Sequence, residues 1–448
     1  MIGLPKTIVI AYAWGFGNIG DAAITPGLLR LLERYAPEYR SVVLAETGVG
    51  RVRSYLNRHF KGCSVIADDT DEAFEGALRE AAEALGDEFH APGATAAEYA
   101  LEVLPHRIID RLGEESNTLI ALNEAERVVY NSGMVLVYGE ETLANRRFWR
   151  YTVRRSLPLL LARALSVPYG VYAHSFDSFD VAPGRPYFQT LLDDTAFCFC
   201  RDSSSLRYLQ DLSIDPPATI FVPDSTLSFD GADDTWAEAT VTACGLEPGR
   251  FMIVIPRTWR QDEITDRLVG EERSRAHMAL LREVIERAYR QFGTRTLIAV
   301  EVESELSNAR ELVYEPLAED VRAATIMRDR YWTPEQAASL YTLAAVVCTM
   351  ELHSFLLAAG RGTPAVVPTF VESGRKIAMV GDFGLADWFF DIDRTDADSL
   401  VHTIGKTIRD PEMARARVRD DVLPRLRAIE RDAVTIMTRG IADISQSC

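Results

Sequence analysis

No apolar run in this 448-residue chain approaches the roughly 20 residues needed to cross a bilayer, which argues against an integral membrane segment. The opening residues, Met1 to Lys6, lead straight into a strand pattern without the segments of a signal peptide. Cysteine is scarce and scattered: there are six, and none stands with histidine at zinc-binding spacing. Cys198 and Cys200 alternate within an apolar run, which puts both on one strand face and reads as buried thiols rather than a metal pair. Basic residues are outnumbered, 48 Lys plus Arg against 66 Asp plus Glu, a formal charge of −18. That balance excludes nonspecific nucleic-acid binding and docking on anionic lipid, but a local basic cleft could still take a small anionic substrate. The expectation is a cytoplasmic protein with no metal and no cofactor.

The chain also has no internal repeat and no Pro/Ser-rich linker. It does have β-branched apolar runs alternating with helical patterns, the signature of parallel α/β layers. Strands are expected at Thr7–Ala13, Ser41–Ala45, Ser64–Ala67, Arg127–Asn131, Tyr169–His174, Ala196–Cys200 and Thr219–Val222. The stretch from about Asp87 to Glu126 reads as a mostly helical insertion. After an irregular polar stretch from Asp230 to Pro248, a second series runs through Phe251–Pro256, Thr296–Val300, Ala323–Met327, Ala345–Thr349 and Ala365–Pro368. The length exceeds a single core. We therefore expect two Rossmann-like domains, residues 1–235 and 236–410, followed by a helical segment, 411–448, that could cross back to brace the first. Two such domains facing a cleft form the glycosyltransferase-B type of architecture.

The most informative stretch is Gly15-Phe16-Gly17-Asn18-Ile19-Gly20-Asp21, set between the first strand and a periodic segment, Ile24 to Tyr35. Strand, glycine turn and helix in that order put backbone N–H groups at the carboxyl end of a strand, where open α/β sheets bind ligands. The spacing is not that of a dinucleotide loop. It is either a tight turn with a capped helix or a binding loop. The second informative site is Met350-Glu351-Leu352-His353-Ser354, between a strand and a helix. His353 there is either a helix cap or a general acid or base working near neutral pH. Arg257 and Arg260 follow the Phe251–Pro256 strand, and Arg375 and Lys376 follow Ala365–Pro368. Such residues suit carboxylate or phosphate oxygens, or are solvated surface charge. In the first half, polar strand ends recur four times: Ser132-Gly133-Met134, His174-Ser175-Phe176, Arg201-Asp202-Ser203 and Pro223-Asp224-Ser225. Together they suggest a binding rim, although Asp202 and Ser203 also read as helix caps.

The order of these motifs resembles the polysaccharide pyruvyl transferase family. Gly17-Asn18-Ile19-Gly20-Asp21 matches its G-N-x-G-D. Ser132-Gly133-Met134 stands where the family has G-G-G, and Tyr172 to Phe179 resembles its G-Q-G-I-G-P-F segment. Arg201 to Leu206 matches R-D-x-x-S-L, Pro223-Asp224 its P-D pair, and Leu352-His353-Ser354 the core of R-L-H-S/A. Gly362-Thr363-Pro364-Ala365-Val366 matches G-x-P-V/A-V, Lys376 falls at a family lysine, and Phe383-Gly384-Leu385 resembles L-G-L. The resemblance spans about residues 7 to 390. It implies transfer of a pyruvyl group from phosphoenolpyruvate to a sugar diol as a ketal, with His353 as acid/base and Arg257, Arg260 and Lys376 as donor ligands. Gly17, Asn18, Asp21, Ser132, Gly133, His174, Arg201, Asp224, Glu351 and Ser354 complete the expected binding set. The family arginine before Leu-His is Glu351 here, which would repel phosphoenolpyruvate unless Arg260, Arg361 or Arg375 compensates. Two further readings are a nucleotide-sugar or other anionic donor on the same fold, and a non-catalytic small-molecule binder. A homo-oligomer is compatible with all three.

Overall fold

The computed structural model describes residues 6–13, 15–86, 94–138, 147–180, 182–259 and 266–440. By their contacts the residues form two units: Met1–Gly15, Leu28–Ser225 and Ile429–Cys448 in the first, Phe16–Gly27 and Thr226–Ala428 in the second.

The first unit holds a seven-stranded sheet of β1 (Lys6–Ala11), β2 (Tyr39–Ala45), β3 (Cys63–Ala67), β4 (Arg127–Tyr130), β5 (Tyr169–His174), β6 (Phe197–Cys200) and β7 (Thr219–Phe221). The order is β3-β2-β1-β4-β5-β6-β7 and every pairing is parallel. Parallel strands need long crossovers that put helices on the sheet faces, so their residues are buried on both sides. Ile8, Val9, Ile10 and Ala11 are accordingly all fully buried. The insertion after β3 contains helices Ala94–Glu102, Leu104–Leu112 and Asn117–Glu124. The last described helix is Leu423–Arg439; its end packs in the first unit, where the Tyr39 hydroxyl donates to the Thr438 carbonyl at 3.0 Å.

The second unit holds a six-stranded parallel sheet of β8 (Phe251–Ile255), β9 (Arg295–Ile298), β10 (Ile326–Met327), β11 (Val346–Thr349), β12 (Ala365–Thr369) and β13 (Phe389–Asp391), in the order β10-β9-β8-β11-β12-β13. The expected strand Ala323–Met327 shortens to β10, because Glu319–Ala324 closes as a helix. β13 is an addition that the pattern did not suggest. Among the described residues no helix is long and apolar enough to cross a membrane.

In each sheet the winding direction reverses once, between β1 and β4 and between β8 and β11. Ligands of open α/β sheets bind outside the carboxyl ends of strands at such reversals. Tyr12 and Asn131 follow β1 and β4; Arg257 and Glu351 stand just beyond β8 and β11.

Candidate active site

Residues 16–27 pack with the second unit, so the glycine-rich loop and His353 can be described together. Asn18 forms an antiparallel bridge with Val302; the Ile19 N–H donates to the Glu301 carbonyl at 3.0 Å, and the Glu303 N–H donates to the Gly17 carbonyl at 3.2 Å. The Asn18 side chain accepts from the N–H groups of Gly20 at 2.7 Å and Asp21 at 3.2 Å. It thereby caps the helix Ile19–Tyr35, which begins five residues before the periodic segment. Gly20 faces His353: a Cβ added to it would overlap the histidine Cβ, Cγ and Nδ1. Only glycine allows this approach.

His353 is the second residue of helix Leu352–Gly360. Glu351 precedes that helix but makes no side-chain cap to it. The cap comes instead from Glu301, beyond the end of β9, whose Oε2 accepts from the Ser354 N–H at 2.7 Å and the Ser354 hydroxyl at 2.8 Å. The Tyr341 hydroxyl donates to Ser354 Oγ at 3.0 Å and completes the chain. The other carboxylate oxygen, Oε1, lies 3.4 Å from His353 Nδ1, and Asp21 Oδ1 lies 3.9 Å from the same nitrogen. Glu301 is 1% exposed, whereas the His353 and Asp21 side chains are 16% and 28% exposed. Burial alone would raise the Glu301 pKa, but His353 and both Ser354 donors outweigh it and hold the carboxyl below its usual range. Nδ1 thus faces a fixed carboxylate, the arrangement that sets a histidine's tautomer and ring orientation.

At the reversal between β8 and β11, Arg257 and Glu351 pair with each other. Arg257 Nε lies 3.4 Å from Glu351 Oε1, its Nη1 donates to Ser373 Oγ at 3.0 Å, and the guanidinium covers the Phe370 ring at 5.2 Å. Arg257 is 1% exposed and Glu351 6%. Arg257, which was not among the cations expected to do so, thus balances Glu351; of those expected, Arg361 donates to the Gly231 carbonyl. Turn geometry holds the pair: the Thr349 hydroxyl donates to the Glu351 carbonyl at 2.9 Å, and the Thr369 hydroxyl donates to the Met350 carbonyl at 3.0 Å. Lys376 sits partly exposed in a short 3-10 turn, Arg375–Ile377, after β12. Arg260 lies outside the described residues.

The four polar strand ends of the first unit come together as a buried network. Arg201 Nη1 donates to Asp224 Oδ2 at 2.7 Å and its Nε to Ser175 Oγ at 2.7 Å, while the Ser175 hydroxyl donates to Asp202 Oδ2 at 2.6 Å. Asp202 also caps helix Ser203–Asp211 through the Ser205 N–H. Ser132 Oγ meets Ser225 Oγ at 3.1 Å, and Gly133 bridges His174. His174 Nε2 accepts from the N–H groups of Val135 at 3.1 Å and Leu136 at 3.3 Å, so the ring is neutral. Burial, and then the Arg201 charge, push its pKa down to about 3. Ser132, His174 and Asp224 are 0% exposed and Arg201 3%, so this network joins strand ends rather than lining an open rim.

These two parallel sheets superpose on several solved structures. MnaA from S. aureus, solved with UDP, superposes with a TM-score of 0.55 at 11% identity, covering 98% of each chain. A putative UDP-N-acetylglucosamine 2-epimerase from Listeria monocytogenes gives 0.54 at 11% identity, covering 93% of this chain and 91% of its own. A glycosyltransferase from Rickettsia africae gives 0.52 at 9% identity, covering 96% and 97%. The fold is glycosyltransferase-B-like. Within it, the sequence pattern of the polysaccharide pyruvyl transferases matches residues 18–367. The chain belongs to the polysaccharide pyruvyl transferase family. No curated protein matches it.

Proposed function

We propose that this chain is a transferase that moves a pyruvyl group from phosphoenolpyruvate to a sugar diol as a ketal. The observation that carries the reading is His353, held by Glu301 and flanked by Asp21 of the G-N-x-G-D loop. With Nδ1 turned to carboxylates, Nε2 is the nitrogen that would meet the substrate. Protonation of the enol carbon by His353 makes the neighbouring carbon electrophilic. One acceptor hydroxyl adds there and phosphate departs; the second hydroxyl then closes the ketal. One of the two hydroxyl protons replaces the proton given to carbon, and the other leaves with phosphate. The histidine is thus acid first and base afterwards. Glu301 positions the ring and stabilises its charged form. Lys376 and Arg260 are the proposed donor ligands, with Gly17, Asn18 and Ser354 shaping the loop beside the ring.

The Arg257–Glu351 pair favours a second reading. A cation already neutralised by a buried carboxylate is poorly suited to a trianionic donor and suits one recognised through hydroxyls, such as a nucleotide sugar. Calorimetric titration of the full chain with phosphoenolpyruvate and with UDP-N-acetylglucosamine separates the two. Binding of phosphoenolpyruvate, with phosphate release once a sugar diol is added, supports pyruvyl transfer. Binding of the nucleotide sugar alone replaces it with the second reading, and binding of neither leaves a non-catalytic homologue.

A further inference from the structure

The winding reversal of the first unit carries a surface that the chemistry above does not use. Tyr12, the residue after β1, has a φ of 69°, a left-handed conformation that is costly for a bulky side chain. Strain of this kind persists where a site needs a side chain in a particular place. Its ring stacks on Tyr130 of β4 at 5.6 Å between centroids, with 26° between planes. Arg155, from helix Arg147–Ala164, lays its guanidinium 4.7 Å from the Tyr12 ring and 5.0 Å from the Tyr151 ring. Glu46, just beyond β2, takes Arg155 Nη1 at 2.8 Å and lies 3.5 Å from Arg154 Nη1. Arg154 also reaches Asp68, just beyond β3, and Asp71. Tyr151 is 36% exposed, and the Arg155 and Glu46 side chains are 25% and 23% exposed.

We propose that this patch is a sugar-binding subsite of the first unit and that it takes an uncharged sugar through a face and a pair of adjacent hydroxyls. The proposal rests on the reading that the acceptor is a sugar. The Tyr151 ring supplies an amphipathic platform for a pyranose face. Glu46 accepts from one hydroxyl while the Arg155 fork, fixed between two rings, donates to its neighbour. Among the described residues two guanidiniums stand against three carboxylates, a balance that disfavours a uronate or phosphorylated sugar.

Saturation-transfer NMR on the full chain, with the methyl pyranosides of glucose, galactose and mannose and with methyl glucuronide as probes, tests the assignment. At least one neutral glycoside should give a signal severalfold stronger than the glucuronide. Tyr151→Ala should weaken that signal about fivefold, and Arg155→Lys should do the same by losing the planar fork. His353→Ala should leave it unchanged. No signal from any neutral glycoside, a stronger glucuronide signal, or equal signals from wild type and Tyr151→Ala would each overturn the proposal. Loss of phosphoenolpyruvate binding, with these glycoside signals intact, would remove the donor reading and leave the subsite standing.

Discussion

Acid should destabilise the first unit through His174. Its neutral ring accepts two backbone N–H groups, from Val135 and Leu136, and it lies close to the Arg201 charge. The folded-state pKa is about 3, against 6.5 for the unperturbed imidazole. The folded pKa is the lower one, so the unfolded chain takes up the proton first as pH falls. The stability held by neutral His174 is therefore complete above the unfolded pKa and is lost progressively between about pH 6.5 and pH 3. Linkage gives a loss of roughly 2 kcal/mol on going from about pH 7 to about pH 5, rising to roughly 4–5 kcal/mol once both pKa values are passed. Many carboxylates titrate in the same window, so the measurement needs a reference that lacks only this group. His174→Gln provides it, because the glutamine Oε1 can replace Nε2 as acceptor for both amides without titrating. Urea unfolding of both proteins near pH 7.5 and pH 5, with hydrogen exchange at residues 131–138 reporting on the first unit, gives the double difference. Wild type should lose about 2 kcal/mol more than His174→Gln. An equal loss in both proteins would refute the assignment of a neutral, buried imidazole.

The remaining predictions concern the second unit. His353→Ala should lower turnover by on the order of 10²–10⁴-fold while donor affinity by calorimetry stays near wild type; unchanged turnover removes the ring from the chemistry. Glu301→Gln keeps the size of the side chain and loses the charge behind Nδ1, so phosphate release should fall at least tenfold or so, with donor binding retained. A wild-type rate would mean that the carboxylate only caps the helix. Gly20→Ala forces a methyl into His353 and should cost about 1–3 kcal/mol in urea unfolding together with most of the activity; a silent substitution would contradict the close approach. Arg257→Leu and Glu351→Leu should each destabilise by roughly 3–5 kcal/mol, and the double variant by less than either. Additive losses in that cycle would show that the two charges do not interact.

What the sequence could disclose follows from the range of each interaction. Twelve of the thirteen strands among the described residues announce themselves as short apolar runs, continuous where the strand is buried on both faces. β13, Phe389–Asp391, is not among them; it follows a tryptophan in a short turn. The Asn18 cap is local, spanning two and three residues, so the loop that it starts was legible. Glu301 was not, because its partner Ser354 is 53 residues away. One signal was present: a carboxylate directly after the Thr296–Val300 run, at the same strand-end position that drew attention to His353. Arg257 shows the opposite limit. Its position after β8 identified the right end of the sheet, but whether a guanidinium there meets solvent or a carboxylate depends on Glu351, and pairing across 94 positions leaves no periodicity to read. The polar strand ends of the first unit follow the same logic. Carboxyl ends of parallel strands gather polar residues both where ligands bind and where the turns beyond them must be tied together. Residue type alone does not separate the two cases; burial shows the second at Arg201, which is 3% exposed. The charge that decides ligand preference at each reversal is thus a sum over residues distant in sequence. That is why the family could be read from short motifs while the donor has to be tested by titration.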